Sequence, residues 1–296
     1  MKLTCVTATF NCIKAGNRER LIRCVESVAK LKTEHEHLIY DGASKDGTVE
    51  LLRELEAKTP GLKVVSEPDT GIYNALNKGV RDAKGEWFYV LGADDYICHP
   101  DVMDGLLLDG VNTSCDVIVA PVERDVPNTL YSRPSDMECF FERHPHSHQG
   151  LIMKTAVVRG CDGFDERYKV CADYDMAFKT HEMHALYRYT TTPFAFYSAG
   201  GFSESDNGYG GRDCFSIFRC HLHLSDAEYA SYRKRRFYPI RKMLPFLFCP
   251  DLAFRLSSRM MARRWIKFYL RLVLYPLVVV SRPLRRACCR GRRCPQ

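Results

Sequence analysis

In the first hundred residues, short apolar strand-like segments alternate with amphipathic helical ones, and that alternation leaves few folds open. Lys2 to Thr9 is β-branched and apolar and reads as a first strand. Asn17 offers a helix cap ahead of Leu21, Ile22, Val25 and Val28, which recur at helical spacing. His37 to Tyr40 is a second strand ending at Asp41-Gly42. Ser44 to Thr48 (SKDGT) then brings turn and cap chemistry to a helix carrying Val49, Leu51, Leu52 and Leu55, closed by Pro60-Gly61. Leu62 to Ser66 is the third strand. A helix from about Tyr73 to Lys84 turns Ala75, Leu76, Val80 and Ala83 inward and stops at Gly85, and Trp87 to Leu91 is a fourth, buried strand. Strands alternating with helices imply a mostly parallel sheet joined by right-handed crossovers.

Beyond Pro100 the pattern loosens. Val117 to Val122 and Gly150 to Lys154 read as strands, Asp173 to His181 as the start of a helix, and Ala185 to Ser198 as a strand pair. Ala199 to Gly211 (AGGFSESDNGYGG) has the composition of a flexible loop suited to cover a site.

Charge is divided unevenly along the chain. The 296 residues carry a net charge of +7, yet no acidic residue follows Asp251, while twelve Arg or Lys do. Without them the body has 31 basic against 36 acidic residues, a net −5. The tail also holds Trp265 to Ser281, whose longest charge-free run, Leu272 to Ser281, is ten residues, about half of what spans a bilayer. With Lys267 and Arg271 inside it and Pro276 breaking any helix, this stretch suits an anionic membrane interface rather than a span. A nucleic-acid tail would carry aromatics interleaved with its arginines and needs no such apolar run, so no nucleic-acid partner is expected. Fourteen scattered cysteines without a CxxC pair point to reduced thiols and not to a zinc or thioredoxin-like motif. Cys288-Cys289 reads as an exposed reduced pair. The apolar run after Met1 meets Asn11 at once, so no secretion signal is expected, and the protein is expected to be cytoplasmic, peripheral on the inner face of the cytoplasmic membrane.

Acidic residues collect where this reading places strand-to-helix loops: Asp41, Asp69 and the Asp94-Asp95 pair of LGADDY. Open α/β sheets bind ligands at that carboxyl edge. Two adjacent carboxylates repel unless a cation sits between them and a phosphate, although Asp is also common in solvated turns. Asp173 and Asp175 of CADYDM cap or begin a helix, which by itself requires no function. Together these acids describe a metal-dependent nucleotide site.

Five segments carry a resemblance: VTATFN (Val6 to Asn11), DGASKDGT (Asp41 to Thr48), SEPDTGIYNALNKG (Ser66 to Gly79), GEWFYVLGADD (Gly85 to Asp95) and HQG…GFDERYKVCADYDM (His148 to Met176). In this order and spacing, over roughly residues 1 to 200, the chain resembles the family 2 glycosyltransferases of the GT-A fold, in the bacterial branch that builds exopolysaccharide or lipopolysaccharide. The resemblance implies a Rossmann-like α/β domain over residues 1–210, with a mixed, mostly parallel sheet and helices on both faces. A helical C-terminal extension, 211–296, would end in the basic membrane-interfacial tail. It further implies an inverting, metal-dependent transfer of a hexosyl or N-acetylhexosaminyl group from a UDP- or GDP-linked sugar to a hydroxyl of a saccharide or lipid-linked acceptor.

Carried onto this sequence, the resemblance puts Thr7, Thr9 and Asn11 around base and ribose and Asp41 on the nucleobase with Ser44 beside it. Asp69, Gly71, Tyr73, Asn77 and Lys78 would shape the donor pocket. Asp94 and Asp95 would hold Mn2+ or Mg2+ against the diphosphate, with Asp94 also on the donor. Asp173 would be the catalytic base, with Asp175 the second candidate, and His148 and Gln149 would lie on the acceptor side. Two positions depart from the family pattern: Gly92 stands where an acid often precedes the pair, and Ala172 stands where Glu often precedes Asp173. They leave open a non-catalytic nucleotide-sugar binder or scaffold anchored at the membrane. A sugar-nucleotide nucleotidyltransferase would need a glycine-rich basic loop after the first strand, where this chain has TFNCIKAGNRE. Within HPHSH (His144 to His148), histidines on alternate positions share one face, but no acid or cysteine adjoins them, so His148 reads as a site contact and not a zinc ligand.

Overall fold

The computed structural model describes residues 1–108, 114–124, 144, 146–200 and 209–233. The basic tail and most of the glycine-rich loop lie outside these residues, and so do Asp125 to Arg143. In chain order the elements are β1 (Leu3–Thr9), α1 (Arg18–Ala29), β2 (His35–Asp41), α2 (Thr48–Lys58), β3 (Leu62–Ser66), α3 (Ile72–Asp82), β4 (Trp87–Val90), β5 (Tyr96–Ile97) and α4 (Pro100–Leu108). They continue with β6 (Val117–Val119), β7 (Val122–Arg124), β8 (Leu151–Lys154), α5 (Thr155–Gly160), α6 (Ala172–Glu182), β9 (Tyr187–Tyr189), β10 (Ala195–Tyr197), α7 (Tyr209–Leu222) and α8 (Asp226–Arg233).

Seven strands form the main sheet in the order β3-β2-β1-β4-β8-β6-β9, and β5-β10-β7 form a small second sheet. The β3-β2-β1-β4 run is parallel throughout, while β8 is antiparallel to both of its neighbours. The sheet is therefore mixed and mostly parallel, as expected. Its chain path leaves β1 toward β2 and β3 on one side and returns to β4 on the other. The point where the order reverses, between β1 and β4, opens a crevice at the carboxyl edge.

All four residues of β4 are buried, as befits a central strand covered on both faces. One apolar cluster packs α3, α5, α6 and α7 on one face around Phe88 and Tyr174; two others pack α1, α2 and α4 on the opposite face around Trp87, Tyr89 and Ile39. Burying an aromatic such as Phe88 contributes on the order of 1.5–3 kcal/mol. α3 lies very close to β1, because a Cβ at Gly79 would stand 2.5 Å from Val6 Cγ1. α3 ends at Asp82, two residues short of the expected Lys84, and beyond it the Thr4 hydroxyl accepts the N–H groups of Lys84 (3.2 Å) and Gly85 (2.8 Å).

Three expectations are corrected. Val117 to Val122 is not one strand: Pro121 has no N–H to donate, and the segment splits into β6 and β7 in different sheets. Ala185 to Ser198 holds two strands that do not pair with each other, since β9 edges the main sheet and β10 centres the small one. Asn17 occupies the helix cap position, but its side chain makes no capping bond. The thiols also differ from expectation at one place. Eight cysteines are free among the described residues, five of them buried, whereas Cys220 is disulfide-bonded.

Gly79→Ala should lower stability by about 1–3 kcal/mol through overpacking against Val6, read as a shift in urea midpoint with unchanged slope. A variant as stable as the parent would mean that α3 can lift off β1 freely.

Candidate active site

At the crevice the chain encloses a cleft of about 1370 Å³, lined among others by Thr9, Asp69, Asp94, Asp95, His148 and Asp173. Its floor is the carboxyl edge of β1 and β4. Asp41, at the end of β2, does not face it. This carboxylate is buried and accepts the hydroxyls of Thr9 (3.1 Å), Ser44 (2.6 Å) and Ser66 (2.8 Å) and the Ser44 N–H (2.9 Å). A carboxylate has about four acceptor positions, and all are taken by the protein. Asp41 thus pins three loop ends together, and the expected nucleobase contact is corrected to a structural one.

The acid pair sits one turn past β4. Asp95 is buried, only 2% exposed. Its Oδ2 accepts Gln149 Nε2 at 2.5 Å and its Oδ1 accepts the Ser198 N–H at 2.8 Å. Gln149 is itself held, with Ser147 Oγ donating to its Oε1 and Tyr89 Oη donating to its carbonyl at 2.9 Å. The Ser198 hydroxyl reaches the Asp94 carbonyl at 2.6 Å. Burial, then the neighbouring Asp94 charge, pushes the Asp95 carboxyl up to about 6 despite those donors. Neither acid is ion-paired to Lys or Arg among the described residues, and half of Asp95's acceptor positions remain unused. The donor set is oxygen, which suits a hard divalent cation. Asp94 and Asp95 therefore fit Mn2+ or Mg2+.

Asp173 faces the same cleft from the first turn of α6. Its Oδ1 accepts the Tyr174 N–H at 2.8 Å, and its Oδ2 lies 3.7 Å from His148 Nδ1, a separation too long for a hydrogen bond. Burial would raise this carboxyl, but His144, His148 and the Tyr174 N–H outweigh that and hold it below the ordinary carboxylate range. His148 shifts the opposite way: burial alone would lower it, but the Asp173 carboxylate and the acid pair raise it.

Asp175, two residues on, points away. It is 1% exposed and lies between Lys179 Nζ (2.9 Å) and His221 Nε2 (2.8 Å), and His221 Nδ1 meets Glu182 Oε1 at 3.0 Å. Asp175 is thus corrected from second catalytic candidate to a clamp between α6 and α7. Asp213 of α7 reinforces that clamp by accepting the N–H groups of Lys169, Val170 and Cys171, the loop that delivers Asp173. Burial disfavours the charged His221 ring, yet Asp175 and Glu182 outweigh it and raise the group to about 9.

Of the other expected residues, Thr9, Asp69, Gly71 and Tyr73 line the cleft with His148 and Gln149. Asp69 accepts the Gly71 N–H at 2.9 Å, and Tyr73 stacks on Phe164 and donates to the Val170 carbonyl at 2.6 Å. Thr7 is corrected to core: it is fully buried and bonded to His37 Nε2 at 3.0 Å. Asn11 and Ser44 build the turn beside the cleft, the Asn11 N–H donating to Ser44 Oγ at 2.7 Å. Asn77 is spent clamping Phe164 and Glu166, and Lys78 pairs with Glu67 at 2.8 Å, so neither reaches the cleft. Ser147, Ser198, Asp213 and His221 were missed. Ser198 follows an aromatic strand and Asp213 a glycine pair, and neither position carries a local pattern that separates it from a turn or a helix face.

Comparison with known proteins places the chain as follows. The family model described as "Glycosyl transferase family 2" matches residues 4–188. The PGL/p-HBAD biosynthesis glycosyltransferase of Mycobacterium tuberculosis is 27% identical over 188 residues, covering 62% of this chain and 73% of that protein. A chondroitin synthase of Pasteurella multocida is 27% identical over 168 residues, covering 54% of this chain and 17% of the synthase. Among solved structures, Staphylococcus aureus TarS 1–349 in complex with UDP-GlcNAc superposes with a TM-score of 0.63 at 17% identity, covering 96% of this chain and 92% of that one. The mannosyltransferase PcManGT of Pyrobaculum calidifontis, in complex with GDP-Man and Mn2+, gives 0.56 at 16% identity, covering 98% and 88%. The fold is thus GT-A-like, as the sequence implied.

The clamp at His221 predicts a pH dependence. A histidine raised from its ordinary 6.5 to about 9 in the fold stabilises fully below 6.5 and loses that contribution as pH rises to 9. The stability gap between the parent and His221→Gln should shrink by up to about 3 kcal/mol over that window, measured by urea unfolding. A gap independent of pH would mean that the ring is neutral throughout.

Proposed function

The chain belongs to glycosyl transferase family 2, and from that premise we propose that this glycosyltransferase moves a sugar, with inversion, from a UDP- or GDP-linked donor to a hydroxyl of a saccharide or lipid-linked acceptor. One observation carries this reading. The consecutive residues His148 and Gln149 tie the two halves of the chemistry together, His148 facing Asp173 and Gln149 bonded to Asp95. A base-type carboxylate and an acid pair thus share one cleft at a spacing set by a single peptide unit. The neighbours' donors support the nucleotide sugar and the cation: TarS is in complex with UDP-GlcNAc, and PcManGT with GDP-Man and Mn2+. The similarity to a chondroitin synthase supports a saccharide acceptor.

Asp94 and Asp95 would hold the cation, Mn2+ or Mg2+. When bound there, it supplies the Lewis-acid charge that lets a diphosphate leave without a protein acid. Thr9, Asp69 and Tyr73 wall the donor side of the cleft. Asp173 keeps one oxygen on the Tyr174 N–H, leaving Oδ2 to take the acceptor's proton as its oxygen attacks the sugar. His144, His148 and the Tyr174 N–H hold the Asp173 carboxyl below the ordinary range, which favours the ionised form that a base requires. A positioned base of this kind contributes about 10²–10⁴-fold. Attack on the face opposite the leaving diphosphate inverts the anomeric centre in one displacement. We further propose that the basic, apolar tail after Asp251 seats the enzyme on the inner face of the cytoplasmic membrane, beside a lipid-linked acceptor of polysaccharide or lipopolysaccharide synthesis.

Asp173→Asn should keep donor binding and lose about 10²–10⁴-fold in acceptor-dependent UDP or GDP release, and proton NMR of the parent's product should show the inverted anomer. Full activity in that variant removes Asp173 as base, and a retained anomer removes the single displacement. Truncation after Asp251 should abolish flotation with anionic liposomes, and unchanged flotation would overturn the membrane role of the tail.

A further inference from the structure

Away from the cleft, the small sheet gathers a second set of ligand-type side chains. Cys98 follows β5 and opposes Phe194, to whose carbonyl it donates its N–H at 2.9 Å, while Glu123 of β7 opposes Phe196. Although they belong to flanking strands, the side chains of Cys98 and Glu123 come together beside β10, with a ligand atom of each within 4.8 Å of the other. Arg124, which lines the cleft, alternates to the other face. His99 is fixed by its own N–H on the same Phe194 carbonyl (3.1 Å) and by its carbonyl, which accepts the Val102 and Met103 N–H groups at the start of α4.

We propose that Cys98, His99 and Glu123 form a binding site for a thiophilic divalent ion, with Zn2+ the best match. One ligand atom from each residue lies within 4.8 Å of the other two, and His99 Nε2 is 3.0 Å from Glu123 Oε1. Around tetrahedral zinc, with bonds of about 2.0–2.3 Å, such atoms stand roughly 3.3–3.5 Å apart, so closure needs only small side-chain rotations. Sulfur, imidazole and carboxylate together are a borderline-soft donor set, unlike the all-oxygen pair at Asp94 and Asp95, so the two sites select different metals. Three protein ligands leave the fourth position to water. On binding, the metal–sulfur bond forms, the S–H bond breaks, and the proton passes to solvent. His99 and Glu123 are about half and a third exposed, which leaves an entry path. A metal here staples the β5–α4 junction to β7 across β10. The residue that follows β10 is Ser198, which holds Asp95 through its N–H and Asp94 through its hydroxyl. Loading would stiffen the frame of the active site without entering it. The inference does not depend on the proposed transfer reaction.

The test titrates Co2+ into the full-length, metal-stripped protein and follows thiolate-to-cobalt charge-transfer absorption in the near ultraviolet. The expected result is one equivalent giving that band and Zn2+ displacing it. Cys98→Ser should abolish the band, and His99→Gln and Glu123→Gln should each weaken Co2+ affinity at least about tenfold. The double variant Asp94→Asn/Asp95→Asn should keep it. Because His99 and Glu123 are partly exposed, those two variants should fold even if Cys98→Ser does not, as circular dichroism would check. Absence of the band in the parent, its survival in Cys98→Ser, or unchanged affinity in both His99→Gln and Glu123→Gln would overturn the site.

Discussion

Taking a carboxylate out of water costs several kcal/mol unless hydrogen bonds and opposite charge replace the solvent, and Asp95 is a carboxylate almost wholly removed from water. Its two donors come from far along the chain, Gln149 at the entry to β8 and Ser198 at the exit of β10. The cleft exists in its present shape because these segments converge on one acid. β8 runs antiparallel beside β4 and so brings His148 and Gln149 over the carboxyl edge, where a parallel strand would have carried them to the opposite end. The small sheet, otherwise peripheral, acquires its role by delivering Ser198.

Hydrogen-bond saturation separates the acids that shape the fold from those left for chemistry. Asp41 has four donors and Asp213 three backbone donors, and Asp104 accepts the Thr33 hydroxyl and the N–H groups of Lys32 and Thr33, pinning α4 to the loop before β2. Asp175 is ion-paired on both sides. Asp94 and Asp173 retain cleft-facing oxygens, and Asp95 is half-committed. An acid whose acceptor positions are filled holds loops in place; one with spare positions facing the cleft is poised for an ion or a proton. By this criterion the crevice divides its acids between scaffold and chemistry without any change of residue type.

Much of this was legible in the sequence, and the limit follows from what is local. Leu62 to Ser66, Trp87 onward and the α3 face of Ala75, Leu76 and Val80 are set by periodicity and burial, which neighbours along the chain already encode. Pro121 was a readable break that the apolar run around it masked. Saturation of Asp41 was not readable, because it depends on Thr9 and Ser66 arriving from adjacent strands at hydrogen-bonding distance. The same holds for Asp175, whose partner His221 lies 46 residues downstream. A DYD motif looks alike whether its second acid faces a substrate or a histidine. Acid positions could therefore be found from sequence, but not their division of labour.

Gly92 makes the same point in the reverse direction. Read along the chain, it is a lost carboxylate two places before Asp94. In space, a Cβ at that position would lie 2.4 Å from Asp95 Oδ2 and 3.1 Å from Asp94 Oδ1. The volume that a side chain at 92 would claim is already filled by the carboxylate of Asp95, turned inward to meet Gln149 and Ser198. An added acid there would have to displace that carboxylate from both donors, and it would place a third negative charge against two that already repel. The glycine is consequently a steric condition of the buried Asp95 and not a gap in the motif. A chain that places its second acid this deep gains a side chain at 92 only by moving that acid off Gln149 and Ser198.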